Sequence, residues 1–464
     1  MKRLAGLETE YGCLAPESFG LPAVPTRVRD YIFKKKKMGL IDLHDRDYDE
    51  PAGNGGFLFN GGRLYLDMGH VEYCTPECLS LADVVAYDQV GEVLLQQSLQ
   101  ELHLAGEVSF LKNNIDHYTS ATFGCHENYL LHRDAPLNKR NIDTLLTFLA
   151  TRILLVGSGR VGMTTAPRRY GKLENSEFVP YQISQRADFI QTDIYEWVQF
   201  NRALINARDE PLADYRRFRR LHLLLGDSNL LPFANALKVG ATALMLDLLE
   251  ADALPEIALH EPVCAMRKLS HQPKGPWKVE LANRKETSAL DILEQFLEAA
   301  TSGKIDLDAD GKWTVEAWRF SLDKLRHDPD ALIGKIDWIT KRYLLDAFVE
   351  SEGITWRDTW LESLDLEYHQ LNPAKSLLAG LPGTALNQQN LPGLAKRDFF
   401  LQPPPNTRAN LRSEAMRTIL HKKLSYVIDW DLIYIGEGGK QIHLDDPFVH
   451  DIKTLHTFRG NEPR

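Results

Sequence analysis

The sequence predicts an α+β protein with one large domain and one small terminal domain, on three observations. Strand-like alternation is concentrated near the start, in RLAGLETEYG and NGGRLYLDMGHVEYC, whereas helical spacing dominates the middle of the chain. A Gly/Pro/Asn-rich stretch at 378–394 then separates a short remainder. Strands and helices segregated along the chain are the α+β pattern, and 464 residues exceed what a single core usually holds.

In the first strand, Glu8 and Glu10 project to one face while Leu7, Thr9 and Tyr11 take the other, with Gly12 closing it. A helix is expected at 28–37, followed by the Asp/Pro/Gly-dense loop DLHDRDYDEPAGNGG. In GGRLYLDMG, period-two alternation sends Leu64, Leu66 and Met68 to a core face and Arg63, Tyr65 and Asp67 to the opposite one. Ser80 with Asp83 reads as a capping box for a long helix reaching His103. Strands follow at 107–112 and 124–132, then helices at 142–155, 234–253, 288–300 and 336–349. The glycines of GSGRVG follow a helix and precede none, so they match a phosphate loop poorly.

Composition narrows the function. The net charge of −10 argues against general nucleic-acid binding, which needs a basic footprint. The run Lys34 to Lys37 reads as a solvated helix end, or as a contact for an acidic protein partner. No stretch has the length of a signal peptide's apolar core or of a membrane span, so a cytoplasmic protein without membrane contact is expected. Five cysteines fit reduced thiols, and Cys74 and Cys78 lack the second pair of a zinc site.

Three polar clusters stand out: Glu8 with Glu10; Arg63, Tyr65, Asp67 and Glu72; and Lys112, Asn113 and Asn114 with His126, Glu127 and Asn128. Carboxylates with histidine and no cysteine suit Mg²⁺ or Mn²⁺, ions that accompany phosphates. Arg186, Arg208, Arg219, Arg220, Arg408 and Arg412 are of the type a phosphate or carboxylate site recruits, although surface ion pairing accounts for such arginines equally well.

GLETEYG, NGGRLYLDMGHVEYCTPEC, KNNID with FGCHENYLL, INARDEPLAD, RRLHLLLGDSN, LKVGATALML and PPPNTRANLRSE together resemble the family of Pup-protein ligase and Pup deamidase/depupylase, in the family's order. Pup is a prokaryotic ubiquitin-like protein that marks substrates for the bacterial proteasome. The resemblance implies a glutamine-synthetase-like carboxylate-amine ligase fold: a curved antiparallel sheet flanked by helices at 1–385, with a small C-terminal domain at 396–464. It also implies ATP and Mg²⁺ as cofactors, with Pup and lysine-bearing proteins as partners. Carried over by position, Glu8, Tyr65 and Glu72 would hold the metal, Arg63, Thr75 and Trp430 would contact ATP, and Asp67 would be the catalytic aspartate.

The family's two branches run opposite reactions on one scaffold. GCHENYL, GDSN, SALDI, IDWITKR, DDPF and the chain length resemble the ligase branch. The five-residue step from Asp67 to Glu72 and SGRVG resemble the depupylase branch, and Leu212 stands where the family usually has histidine. The ligase is favoured, with the depupylase as alternative. A Pup-binding pseudoenzyme is disfavoured by the intact Glu8, Arg63, Asp67, Glu72 and Thr75.

Overall fold

The computed structural model describes residues 1–20, 23–46, 50–117, 121–162, 179–197, 201–379, 381, 384–385, 389–436 and 440–451. Residues 47–49 of the Asp/Gly-rich loop and part of the 378–394 linker lie outside the described residues.

The strands are β1 (Ala5–Leu14), β2 (Gly39–Ile41), β3 (Gly55–Leu58), β4 (Arg63–Asp67), β5 (His70–Cys74), β6 (Ser109–Leu111), β7 (Cys125–His132), β8 (Arg160–Val161), β9 (Tyr181–Gln182), β10 (Thr192–Tyr195), β11 (Ala203–Asn206), β12 (Phe218–Leu223), β13 (Lys278–Glu280), β14 (Glu286–Ser288), β15 (Tyr426–Ile428), β16 (Leu432–Ile435) and β17 (Lys440–His443). The helices are α1 (Ala23–Asp30), α2 (Leu81–Glu101), α3 (Lys139–Thr151), α4 (Ile153–Val156), α5 (Pro232–Glu250), α6 (Pro262–Ser270), α7 (Ala289–Thr301), α8 (Ala309–His327), α9 (Asp337–Glu352), α10 (Trp360–Tyr368) and α11 (Arg408–Lys422).

The main sheet has the order β10-β11-β12-β7-β1-β5-β4-β3-β2, with β6 also paired to β1. It is antiparallel except at one edge, where β10 and β11 run parallel. One face of the sheet carries the core. Leu7, Tyr129 and Leu131 pack on Leu146, Leu149, Leu237 and Trp318 from the helices, while Tyr11, Leu64, Leu66 and Tyr73 pack on Val28 of α1 and Val90 of α2. Gly91 lets α2 approach closely, since a Cβ there would stand 2.7 Å from the Tyr11 hydroxyl. The Ser80 Oγ accepts from Asp83 N at 3.1 Å, which is the expected cap.

Several boundaries differ from the expected ones. The 28–37 helix starts earlier, as α1, and finishes in a wider turn at Tyr31–Lys35. The 142–155 helix is interrupted at Arg152, whose backbone N–H still donates to the Phe148 carbonyl and whose side chain pairs with Glu127. Met68 is not a core residue. The chain turns before it, and Met68 is 86% exposed.

The small C-terminal unit consists of α11 and the antiparallel sheet β15-β16-β17. Its apolar side (Leu411, Met416, Ile428, Ile433) covers Leu40, Phe57 and Phe59 at the β2–β3 edge of the main sheet. Glu77, just after β5, is the polar counterpart of that seam: it pairs with Arg408 and Arg412 of α11, each at 2.7 Å.

Candidate active site

The open face of β1, β5 and β4 forms the floor. Register places Glu10 opposite Glu72, and Glu72 opposite Tyr65 on the other side. Like charges directly across a strand pair are destabilising, yet ligand atoms of Glu10, Asp67 and Glu72 lie within 4.8 Å of one another. Gly55 permits this arrangement on the far side of β4, because a Cβ there would sit 2.2 Å from the Tyr65 Cβ.

The Tyr65 hydroxyl donates to Glu72 and reaches Glu8 Oε1 at 3.3 Å. Burial, with Glu8, Glu10 and Asp67 close by, raises the Glu72 carboxyl well above the usual carboxylate range. Glu8 behaves oppositely. Burial pushes it up, but His126 and His222 outweigh that and hold it well below its ordinary value. His126 Nδ1 and His222 Nε2 each lie 3.5 Å from Glu8 Oε2, and Asn128 Nδ2 donates to the same oxygen at 3.3 Å. Burial lowers His222 to about 4, against the pull of Glu8 in the other direction.

A pocket opens beside this floor, lined by Glu8, Arg63, Tyr65, Thr75, Arg408 and Trp430 among others. Arg63 is buried, lies over the Tyr65 ring at 4.2 Å, and pairs with Asp42 at 3.0 Å and Glu50 at 2.6 Å. Its Nε has no hydrogen-bond partner among the described residues, a buried donor suited to an anion. Thr75 Oγ1 accepts from Leu7 N at 3.0 Å, fixing the pocket's back wall. Trp430, from the C-terminal unit, meets Phe57 edge-on at 5.0 Å, with the Arg412 guanidinium 4.8 Å from its ring centroid.

The structure therefore gathers Glu8, Arg63, Tyr65, Thr75 and Trp430 around one pocket, with Glu72 and Asp67 further along the same floor. It divides the third polar cluster. His126 and Asn128 join Glu8, whereas Lys112, Asn114 and Glu127 are buried in structural networks with Asp88, Ser228 and Arg152. Arg186 and Arg412 are structural, held by the Phe123 and Leu224 carbonyls and by Glu77, and Arg208 pairs with Glu210 at the surface. Arg220 and Arg408 do reach the pocket. One histidine of the site, His222, was not among the expected residues: it lies in RRLHLLLGDSN beside the arginines, and alternation from Arg220 was the available signal.

The fold and floor define an α+β enzyme with an anion-receptive pocket on the open face of its sheet. Within that class the chain belongs to the Pup-ligase family, whose model, described as Pup-ligase protein, matches residues 3–434. The Pup–protein ligase of Acidimicrobium ferrooxidans is 34% identical over 97% of this chain and 96% of that protein. The Pup–protein ligase of Kineococcus radiotolerans is 33% identical over 96% of each. Among solved structures, the complex between prokaryotic ubiquitin-like protein Pup and its ligase PafA matches with a TM-score of 0.79 and 28% identity, covering 99% of this chain and 91% of that one. PafA in complex with ADP matches with a TM-score of 0.74 and 28% identity, over 94% of this chain and 93% of that one. No helix among the described residues is long and apolar enough to cross a membrane.

Proposed function

We propose that this chain uses ATP to activate the C-terminal glutamate of Pup and joins it to lysines of target proteins, in the cytoplasm. The side-chain carboxylate of that glutamate attacks the terminal phosphorus of ATP, and ADP leaves. The lysine amine then attacks the acyl phosphate, an isopeptide bond forms and phosphate leaves. Arg63, Thr75 and Trp430 hold the nucleotide, and Trp430 brings the 396–464 unit onto the 1–385 body.

Glu8 and Glu72, oriented by Tyr65, are the Mg²⁺ ligands, with Glu10 beside them. The donor set fits: it is oxygen-rich and crowded with carboxylates, and the burial and mutual repulsion that raise the Glu72 carboxyl are what a bound cation would offset. When bound, Mg²⁺ draws charge from the phosphoryl oxygens during transfer. Asp67 takes the proton from the incoming lysine ammonium, leaving the neutral amine that attack requires.

The observation that carries this reading is the layout of β4. Arg63 sits at its pocket end, Tyr65 midway and Asp67 at the far end, about 13 Å from Arg63 along the strand. One rigid strand thus presents the nucleotide pocket at Arg63, the metal site at Tyr65 and the base at Asp67 in order, so that the amine freed by Asp67 lies next to the acyl phosphate formed at the metal. The test is incubation with ATP, Mg²⁺, a lysine-bearing protein and Pup ending in either glutamate or glutamine. A covalent conjugate from the glutamate form is expected; cleavage of preformed conjugates without any synthesis would refute the ligase reading.

A further inference from the structure

Asp67 pairs with His70 across the β4–β5 hairpin, leaving Met68 and Gly69 as a two-residue turn with φ of 43° and 94°. Positive φ at both positions is the type I′ pattern, where Asn and Gly are at ease and a long side chain is not. Met68 is 86% exposed, so no packing offsets that cost. The base of the turn is firm. His70 stacks on the buried Phe123 ring at 4.9 Å, and the Phe123 carbonyl accepts from Arg186 at 2.6 Å. A flexible apolar side chain therefore stands on a fixed frame beside Asp67, at the end of β4 away from Arg63 and Trp430.

We propose that Met68 contacts the acceptor, its thioether chain lying along the methylene stem of the lysine whose nitrogen is delivered to Asp67. This rests on the ligase reading above. Lysine couples an apolar stem to a charged head. A site receiving it needs an apolar guide next to a carboxylate, and the unbranched, polarizable methionine side chain adapts to such a stem. The turn's exposure leaves room for the folded protein to which that lysine belongs. A residue that breaks the local turn preference without a packing gain is accounted for by a contact made only with substrate.

Two acceptors separate this contact from the chemistry: hydroxylamine, which traps the glutamyl phosphate of Pup as a hydroxamate and has no stem, and Nα-acetyl-lysine, which has one. Met68→Asn suits the turn, so its melting temperature should equal or exceed that of the wild type, and its hydroxamate rate should be unchanged. Its KM for Nα-acetyl-lysine should rise about five- to tenfold, with kcat within about twofold of wild type. Met68→Leu should restore the wild-type KM. An unchanged KM in Met68→Asn, or a hydroxamate rate that falls in step with conjugation, overturns the contact. A wild type that forms no hydroxamate overturns the ligase reading instead, and the inference with it.

Discussion

Buried charge is handled in opposite ways on the two faces of the main sheet. On the helix-covered face, Glu127 is gripped by Arg152, and Asp88 and Glu92 share Lys112 at 2.5 and 2.7 Å. On the open face, Glu8, Glu10, Asp67 and Glu72 crowd together, with Glu8 met by His126 and His222 and with Arg63 already serving Asp42 and Glu50. β7 carries both solutions in adjacent residues, with His126 turned to Glu8 and Glu127 turned to Arg152. Carboxylates gripped by arginine or lysine hold the fold; a cluster of carboxylates met mainly by histidine and by one another is where a cation and the substrate's own charges fit.

The sharpest way to break this comparison is at Asp67. Asp67→Asn keeps size and removes charge, so conjugation should fall about 10²–10⁴-fold while ATP affinity and melting temperature hold, as measured by conjugate formation, calorimetry and thermal denaturation. Arg152→Met is its mirror image. It leaves Glu127 buried and unpaired and should cost about 3–5 kcal/mol in denaturant unfolding, with nucleotide affinity retained in the fraction still folded.

The seam at Glu77 gives an intermediate effect that depends on pH. Despite burial, Arg412 and Arg408 hold the Glu77 carboxyl down at about 2. A carboxyl lower in the folded than in the unfolded state stabilises fully above its unfolded value, near 4.5, and loses that contribution as pH falls toward 2. Up to ~3 kcal/mol is at stake. Acid unfolding followed by Trp fluorescence should be less steep over this window in Glu77→Gln, which starts from lower stability at neutral pH. The smallest effect on stability belongs to Glu72→Gln. Its carboxyl is already raised, so the metal-free variant should lie within ~1 kcal/mol of wild type, yet Mg²⁺ should no longer raise its melting temperature or its ATP affinity.

Much of the floor was legible because a strand's period of two needs no tertiary information. Glu8 with Glu10, and Arg63 with Tyr65, are assigned to their faces by alternation alone. Which strands adjoin is not local information. Glu10 meets Glu72 only because β1 inserts between β5 and β7, and His222 meets Glu8 only because β12 follows β7 in the sheet. The resemblance supplied the pairing of Trp430 with Arg63, two residues that no periodicity could bring to one pocket. Met68 was misplaced because alternation carries no marker for where a strand stops. The marker was Gly69, the one residue after it that tolerates the turn. The arginines stayed open between two roles for a different reason: a guanidinium suits a phosphate and a row of backbone carbonyls equally well, and only its partners in the fold tell the two apart, as the Phe123 and Leu224 carbonyls do at Arg186.

The docking of α11 and β15–β17 through Glu77, Arg408, Arg412 and Trp430 has a consequence for synthesis on the ribosome. Glu8, Arg63 and Thr75 emerge early, whereas Trp430 and the arginines that seat its unit emerge only after most of the chain has been translated. A nascent chain can lay down its sheet but cannot close its pocket. With Trp430 in its proposed nucleotide role, Pup-ligating activity should arise only when translation is nearly finished, and a ribosome that stalls early should release a product without it.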